Sequence, residues 1–370
     1  MNSDSKSEDH LPNCCTKSQL PKTPIQGPIN LRQRSARTSS ALVDAAMRVI
    51  SLLWVSMRRS TLAILVAIFI VIACVYAKFA YDLRTARARL VGHSQTIETS
   101  FGTLEYAEMG EGEPMLIVHG AEGGFDQGID MTGAMAGRGY RLIVPSRFGY
   151  LRSTMPGNPT VAMQADAYVQ LLDHLGIGKV VVVAISAGAW SSIQFAIRHP
   201  NRCRALVLLV PANYLPAGTA IHGGAVVSAM VHSNFVAWAL LKLMPIMPGG
   251  MTRMMLGTDP SVVRAADSSE KARVQQVLDH LQPVSQRTAG MNFDVKTAAT
   301  NEPYPMERIA CPVLTISDED DRFDTASRAK YIAAHVPDGR VILFPTGGHA
   351  LVGHYADALG EIASFLHTVQ

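Results

Sequence analysis

A single serine stands where a strand-like apolar run gives way to small residues. The run VVVAI ends at Ile185, and Ser186 is followed directly by Ala-Gly-Ala. A hydroxyl here serves either as the cap of an ordinary helix or as a nucleophile raised on a sharp strand-to-helix turn. The pattern G-x-S-x-G is typical of the second case, and here it reads AISAG, with Ala184 at the first glycine position. This segment alone leaves both interpretations open.

A histidine that could act as the base for such a nucleophile follows the last strand-like run. The segment PTGGHALVGH (345–354) places His349 after two glycines, which free the backbone to bring the ring toward Ser186. A histidine there would take the serine proton and return it to the leaving group. His354 lies about one helical turn further on and is predicted to be a packing residue. We therefore predict His349 as the base.

A carboxylate to orient this histidine is available in ISDEDDRFD (316–324), at the end of the preceding strand-like run. A buried acid holds the ring in the correct tautomer and stabilises its charged form. We predict Asp321 for this role, with Asp320 as the second candidate. Asp318 and Asp324 are interpreted as solvated or capping residues, since acidic clusters are usually wet loops.

Backbone donors for a developing oxyanion are predicted in HGAEGG (119–124), directly after the run MLIV. A sharp glycine-rich turn can aim N–H groups at a reacting carbonyl oxygen. The Ala121 amide is the preferred donor, with that of Glu122 as the neighbouring alternative, and the Ala187 amide is the second donor. His119 is predicted to order the loop rather than to react.

The rest of the chain alternates strand-like and helix-like segments, which predicts a mostly parallel sheet covered by helices on both faces. Two short runs, 95–99 and 104–108, predict an opening hairpin. Six further strands are predicted at 115–120, 140–147, 179–186, 205–211, 311–317 and 340–345. Helical periodicity is found at 161–175, 189–199, 325–335 and 354–368.

About a hundred residues separate the strand-like runs that end at Pro211 and begin at Cys311, too many for a plain loop. The insert contains the helical stretch AVVSAMVHSNFVAWALLKLM and six methionines between 230 and 255. We predict a helical cap over 212–304. Flexible methionine side chains can shape an adaptable apolar pocket, although core packing explains them equally well.

Taken together, these segments resemble the α/β-hydrolase superfamily over roughly residues 94–370, with a core at 91–211 and 305–370. The segment PSRFGYLRS (145–153) is similar to that family's PDxRGxGxS loop, with Ser146 where Asp is common. The resemblance implies an eight-stranded sheet, a lid inserted after the sixth strand and no cofactor. It also implies Ser186, Asp321 and His349 as a triad, with Ala121 and Ala187 as oxyanion donors. A serine nucleophile leaves esterases, lipases and C–C-bond hydrolases, and argues against dehalogenases and epoxide hydrolases.

The first ninety residues have a different character. Residues 1–40 are rich in Ser, Pro, Asn, Gln and Lys and are predicted to be a disordered basic tail. Residues 41–90 are predicted to be a membrane anchor region, because TLAILVAIFIVIACVYA (61–77) holds no charge and is long enough to span a bilayer. A transmembrane helix is therefore expected at about 60–80. Positive residues flank both ends, and the basic tail weakly favours an extracytoplasmic catalytic domain.

Charge and cysteine usage exclude some classes of site. Residues 1–90 hold 13 Lys and Arg against 5 Asp and Glu, whereas the remainder holds 20 against 25, so the main body has no basic character that would suit nucleic acid. The five cysteines form no CxxC pair and no disulfide framework. No metal site is predicted, and the sequence leaves the redox compartment and the oligomeric state open.

These observations predict a membrane-anchored serine hydrolase that cleaves an ester or related carbonyl compound, small and apolar, through an acyl-enzyme. Two alternatives share the same residues. One is hydrolysis of a C–C bond in diketone ring-cleavage products on the same triad. The other is a non-catalytic binding protein that kept the hydrolase fold, which the presence of all three triad residues disfavours.

Overall fold

Eight strands form a single sheet in the computed structural model, which describes residues 31–213, 232–244, 246, 248–300 and 302–369 and, for 31–39, 248 and 251, the backbone alone. The strands are β1 (Gln95–Thr99), β2 (Gly102–Met109), β3 (Glu113–Val118), β4 (Tyr140–Pro145), β5 (Val180–Ile185), β6 (Cys203–Leu209), β7 (Val313–Asp318) and β8 (Gly339–Phe344). Their order is β1-β2-β4-β3-β5-β6-β7-β8. The β1–β2 and β2–β4 pairs are antiparallel and the other pairs are parallel. The predicted eight-stranded, mostly parallel sheet is confirmed.

The central strands are apolar on both faces because helices cover both sides of the sheet. All six residues of β5 are buried, as are those of β7. Strand β8 departs from this pattern, since its first three residues are exposed. It lies at the edge of the sheet and pairs only with β7, so the apolar run 340–345 does not become a fully buried strand.

Helices pack on both faces of the sheet and enclose two large apolar clusters. The four helices predicted around the sheet are confirmed, with small shifts of their ends, and one further short helix is present. These helices are α2 (Phe125–Thr132), α3 (Val161–His174), α4 (Gly188–Arg198), α10 (Thr325–His335) and α11 (Tyr355–Thr368). Helix α3 begins at a capping residue, Thr160, whose side chain accepts a hydrogen bond from the amide of Met163.

The described part of the insert between β6 and β7 is built mainly from helices. Its helices are α5 (Asn234–Leu243), α6 (Pro248–Met255), α7 (Pro260–Ala265), α8 (Ser268–Asp279) and α9 (Thr288–Thr300). Ser233 caps α5 by accepting a hydrogen bond from the amide of Val236. The first part of the predicted stretch AVVSAMVHSNFVAWALLKLM, residues 225–231, lies outside the described residues.

The N-terminal region forms one continuous helix, α1 (Leu31–Leu90). It therefore begins within the segment 1–40 that was predicted to lack structure, and residues 1–30 lie outside the described part. By length and composition alone, the stretch from Ser40 to Leu90 is long and apolar enough to cross a membrane. The described chain divides into two compact units between Cys74 and Val75. Residues from Val75 onward thus belong to the unit that holds the sheet, whereas the sequence placed the boundary at 90/91.

Candidate active site

Ser186 occupies a sharp turn at the end of the central strand β5. Its φ is +48°, a left-handed conformation that a serine rarely adopts. The turn is held by a hydrogen bond from the Ser186 amide to the carbonyl of Leu209 (2.9 Å). The N-cap position of α4 is Ala187, not Ser186. The interpretation of Ser186 as an ordinary helix cap is therefore wrong, and its hydroxyl is held on a strained turn.

Small residues around the turn are required by close backbone approach. A Cβ atom added at Gly188 would lie 2.4 Å from the carbonyl oxygen of Val118. One added at Gly120 would lie 3.1 Å from Cβ of Ser186. Ala184 is completely buried, so the methyl group at the position where a glycine is usual is accommodated within the packed sheet.

His349 lies between Ser186 and Asp321 and bonds to both. Its Nε2 lies 2.9 Å from Oγ of Ser186, and its Nδ1 lies 2.8 Å from Oδ2 of Asp321. In the tautomer that satisfies both bonds, the serine hydroxyl donates to Nε2 and Nδ1–H donates to the carboxylate. The ring is partly exposed and packs edge-on against Phe323, with centroids 4.9 Å apart. This arrangement allows a proton to pass from the hydroxyl to the ring.

The two neighbouring aspartates have different environments. Asp321 is buried and also accepts hydrogen bonds from the Phe323 amide (3.0 Å) and the Thr325 hydroxyl. Burial raises its pKa, but the charge and hydrogen bond of His349 outweigh this and hold the pKa below the ordinary value. Asp320 instead accepts from the Gly348 amide (2.9 Å) and the Thr258 hydroxyl. Asp321 thus faces the imidazole, and Asp320 supports the loop that carries it.

Asp318 contradicts the prediction of a solvated or capping residue. It is the last residue of β7, has no exposed surface and, among the described residues, has no hydrogen-bond partner for either carboxyl oxygen. Burial and the charges of Asp320 and Asp321 raise its pKa to about 9. The group is therefore a neutral carboxylic acid at pH 7. The sequence does not show that Asp318 is buried, because the strand-like run 311–317 ends one residue before it.

Among the described residues, no acceptor is found for the backbone amides of the three candidate oxyanion donors, Ala121, Glu122 and Ala187. The loop that carries Ala121 is fixed by His119, which is completely buried. Its Nδ1–H donates to the carbonyl of Gly120 (2.7 Å), and its Nε2 accepts from the Arg147 amide (2.8 Å). Burial and the charge of Arg147 hold its pKa well below the ordinary value. His119 is thus neutral and orders the loop, as predicted.

Glu122 follows Ala121 in the same loop and also has a left-handed backbone, with φ +60°. Burial raises the pKa of its carboxyl, although Arg287 and His349 oppose the shift. A titratable side chain thus lies within the electrostatic reach of His349. From the sequence, Glu122 is a candidate only through its backbone amide.

Two buried ion pairs next to the loop 119–124 connect the core to the insert. Arg147 binds Asp294 of α9 through both terminal nitrogens (2.7 and 2.6 Å) and also donates to the carbonyl of Gly120 (3.0 Å). Arg287, which has no exposed side-chain surface, binds Asp126 (3.1 and 2.7 Å) and the carbonyl of Gly123. Sequence reasoning missed both pairs, because partners more than a hundred residues apart leave no spacing signal.

Ser146 has a structural role in place of the aspartate that is common in the resembled loop. Its hydroxyl donates to Oε2 of Glu105 on β2 (2.9 Å) and accepts from the Phe125 amide (3.1 Å). Glu105 is buried and also binds Arg152 (2.7 Å). The carboxylate next to Ser146 therefore comes from Glu105 on the neighbouring strand β2.

The remaining predicted residues lie apart from the reacting hydroxyl. The His354 ring stacks on Phe344, with centroids 4.6 Å apart and planes at 3°, as expected of a packing residue. Asp324 is exposed at the start of α10 and accepts from the Ser327 hydroxyl. Within the described residues, no group of three or more His, Cys, Asp or Glu side chains is arranged to hold a metal ion.

Comparison with known proteins supports this fold. Residues 113–353 match the family model described as the α/β hydrolase fold. The chain is 29% identical over 275 residues to the uncharacterized hydrolase YcgS of Bacillus subtilis, covering 72% of this chain and 96% of that protein. It is 23% identical over 265 residues to a 2-hydroxy-6-oxononadienedioate/2-hydroxy-6-oxononatrienedioate hydrolase of Comamonas testosteroni, covering 69% and 87%. Among solved structures, an α/β hydrolase fold protein of Nakamurella multipartita superposes with a TM-score of 0.60 at 24% identity, covering 74% and 98%.

Proposed function

We propose that this chain, which belongs to the α/β-hydrolase fold family and is a hydrolase, cleaves an ester or related carbonyl compound through an acyl-enzyme on Ser186. The observation that carries the proposal is the hydrogen-bonded series from Ser186 through His349 to Asp321, with bonds of 2.9 and 2.8 Å. This geometry supports a serine nucleophile, because a serine hydroxyl becomes nucleophilic when an oriented base can remove its proton.

In the first half of the reaction, Oγ of Ser186 attacks the carbonyl carbon while Nε2 of His349 takes the hydroxyl proton. Asp321 stabilises the imidazolium that forms, and it can do so because its lowered pKa keeps it ionised. The tetrahedral intermediate then expels the alcohol, which receives the proton from Nε2. The acyl group remains on Ser186 as an ester.

In the second half, a water molecule occupies the place of the departed alcohol. His349 takes one proton from the water as the oxygen attacks the acyl carbon, and the serine oxygen leaves with that proton. The carboxylic acid is released and the site returns to its first state. The step consumes one water and needs no oxidant, reductant or cofactor.

The amides of Ala121 and Ala187 are proposed to bind the oxyanion of both tetrahedral intermediates. Both lack an acceptor in the described protein, and donors already in place stabilise charge without reorganising. The loop that carries Ala121 is braced by the hydrogen bonds that Arg147 and Arg287 donate to its carbonyls. Its position is therefore set before a substrate arrives.

An uncharged, apolar substrate suits this site best. The two buried arginines that border the loop each face an aspartate, Asp294 for Arg147 and Asp126 for Arg287. Arg147 is neutralised by an aspartate of its own, whereas Arg287 shares Asp126 with Arg89 (2.7 Å), and both guanidinium groups bind protein oxygens. Esters and related carbonyl compounds without a second anionic group are therefore the proposed class.

Hydrolysis of a C–C bond is the second candidate, and a specific observation favours it. The relative from Comamonas testosteroni carries that activity in its name, and the same three residues would serve for it. A dienedioate substrate, however, brings carboxylates that need cationic partners, and Arg147 and Arg287 are already paired. Ester cleavage is therefore placed first.

We further propose that α1 anchors the enzyme in a membrane, with the basic tail in the cytoplasm and the hydrolase unit outside. The support is the uncharged stretch 61–77 and the helix that contains it, together with the excess of positive charge before it. Retention of the full chain in the membrane pellet after carbonate washing tests the anchor. Protease protection in sealed cells or vesicles tests the orientation.

The experiment that tests the activity is a comparison of Ser186→Ala with Ser192→Ala on p-nitrophenyl esters of short acids. Ser192 lies on α4, is buried and makes no side-chain hydrogen bond among the described residues, so it is a matched control. The first substitution should lower kcat by a factor on the order of 10⁵ to 10⁶, and the second should leave it nearly unchanged. Parallel turnover of a vinylogous diketone distinguishes the two candidate reactions.

A further inference from the structure

An aromatic cluster joins the end of α1 to the first described helix of the insert. The Phe79 ring packs edge-on against Phe235 (5.3 Å between centroids) and against Trp238 (5.6 Å). The indole N–H of Trp238 donates to Oδ2 of Asp82 (2.9 Å). All these residues belong to the unit that holds the sheet. Helix α5 is therefore fixed beside the last turns of α1.

Large apolar side chains are exposed on α5 and just beyond it, next to the exposed Lys242. Ala237 and Leu241 are buried against the protein, whereas Phe235 is 45% exposed and Leu243 is 43% exposed. Ile246, just beyond the helix, is 76% exposed. Large apolar side chains exposed together along one short segment are a candidate surface for contact with another apolar phase.

The position of this patch along α1 identifies that phase. The uncharged stretch 61–77 ends two residues before Phe79, which is about 3 Å at the helical rise of 1.5 Å per residue. A bilayer that encloses the stretch places Phe79 at the headgroup level, where tryptophan and tyrosine side chains concentrate. Phe235 and Trp238 contact Phe79 and therefore lie at the same level.

We propose that this patch, formed by Phe235, Leu243 and Ile246, docks into the surface of the lipid bilayer next to α1. This docking rests on the proposed anchor. The patch forms a second point of contact with the bilayer, which turns the insert toward the lipid. An apolar ester dissolved in the bilayer then meets the insert without first entering water. The enzyme should consequently prefer lipid-embedded esters to the same acyl group presented in solution.

Trp238 is a direct reporter of this contact. The experiment uses the full chain with Trp54→Phe and Trp190→Phe, which leaves Trp238 as the only indole, in phosphatidylcholine vesicles whose acyl chains are brominated near the headgroup. The proposal predicts that bromine quenches Trp238 fluorescence. A matched protein that keeps only Trp190, which is 5% exposed and packed near Ser186, should not be quenched. Vesicle flotation after carbonate washing is measured on the same samples.

The outcomes separate the docking from the anchor. Protein that floats but shows no quenching of Trp238 overturns the docking and leaves the anchor intact. Protein that does not float overturns the anchor and the docking together. Quenching of Trp238 in floating protein supports the proposal.

A second pair of variants tests the consequence for catalysis. Phe235→Asp with Ile246→Asp should lower turnover of a long-chain ester in vesicles severalfold and leave turnover of a short dissolved ester unchanged. Val341→Asp is the matched control, because Val341 is 40% exposed on the edge strand β8, and it should change neither rate. Equal losses on both substrates, or no loss on the vesicle substrate, would contradict the proposal.

Discussion

Arg147 and Asp294 form a two-point ion pair between the core and the insert, with N–O distances of 2.7 and 2.6 Å and both side chains almost fully buried. The carboxylate also accepts a hydrogen bond from the Tyr150 hydroxyl (2.5 Å), and the guanidinium holds the carbonyl of Gly120 (3.0 Å). One side of the candidate site is thus positioned by a helix that lies about 150 residues away in the chain. The pair keeps Arg147 charged, since Asp294 raises the pKa of the guanidinium against its burial.

Removing one partner of this pair should destabilise the fold strongly. Arg147→Met leaves the Asp294 charge buried without its counter-ion, and such losses cost about 3–5 kcal/mol. Urea unfolding measures the change in the free energy of unfolding. Arg198→Met is the control, because the Arg198–Asp166 pair is partly exposed and should cost less than about 1 kcal/mol. A double variant, Arg147→Met with Asp294→Leu, should recover much of the lost stability. Equal losses in the free energy of unfolding for Arg147→Met and Arg198→Met would contradict this prediction.

The two candidate acids should differ in their effect on turnover. Asp321→Asn removes the charge that stabilises the His349 imidazolium and should lower kcat by about 10⁴. Asp320→Asn keeps an oxygen for the Gly348 amide and should cost no more than about tenfold, the value of one hydrogen bond. Steady-state kinetics on a p-nitrophenyl ester separates the two. A larger loss from Asp320→Asn than from Asp321→Asn would reverse the assignment.

The buried carboxyl of Asp318 should make stability depend on pH. Its pKa is about 9 in the folded chain and near 4 when unfolded, so between these values the folded state binds the extra proton. The contribution of Asp318 to stability should therefore fall as pH rises, by up to about 1.4 kcal/mol per pH unit. Asp318→Asn should be more stable than the parent at about pH 8 and similar to it at about pH 4.

Denaturant unfolding at several pH values measures this slope. The exposed Asp324→Asn serves as the control and should leave the slope unchanged. The same pH dependence in the parent and in Asp318→Asn would show that Asp318 is ionised at neutral pH.

Gly188 should tolerate no side chain. Its added Cβ would lie 2.4 Å from the Val118 carbonyl and 2.7 Å from that of His119, so Gly188→Ala must displace the loop next to Ser186. We expect a loss of stability above about 1 kcal/mol and a large fall in kcat. Gly360→Ala is the control, because nothing lies within 4 Å of an added Cβ in the middle of α11, and it should be neutral or stabilise by up to about 1 kcal/mol. Thermal unfolding and ester turnover check both variants.

The sequence predicted the sheet and the positions of Ser186, His349 and Asp321 because their signals are local. Each residue follows a short apolar run at the point where the chain turns, and small neighbours such as Gly188 and Gly347 mark the turns. Parallel strands bring such ends to one edge of a sheet, so the order along the chain is enough to predict that the three residues meet.

What the sequence could not predict depends on distant contacts. Asp318 and Asp321 stand three residues apart in one acidic run, yet Asp318 is a neutral acid without a hydrogen-bond partner among the described residues, and Asp321 is an ionised partner of His349. The difference comes from the residues packed around each carboxyl. The end of α1 was likewise assigned to the anchor, because nothing in its composition shows that Arg89 binds Asp126 (2.7 Å) or that Asp82 binds Trp238.

The most direct test of the account is to locate the site that a fluorophosphonate modifies, by peptide mass spectrometry of the folded full chain. The account predicts one phosphonyl adduct on the peptide that contains Ser186, and loss of that adduct in His349→Ala, in which the base is missing. Unmodified Ser186, or an adduct that forms equally fast in His349→Ala, would contradict a serine nucleophile activated by His349.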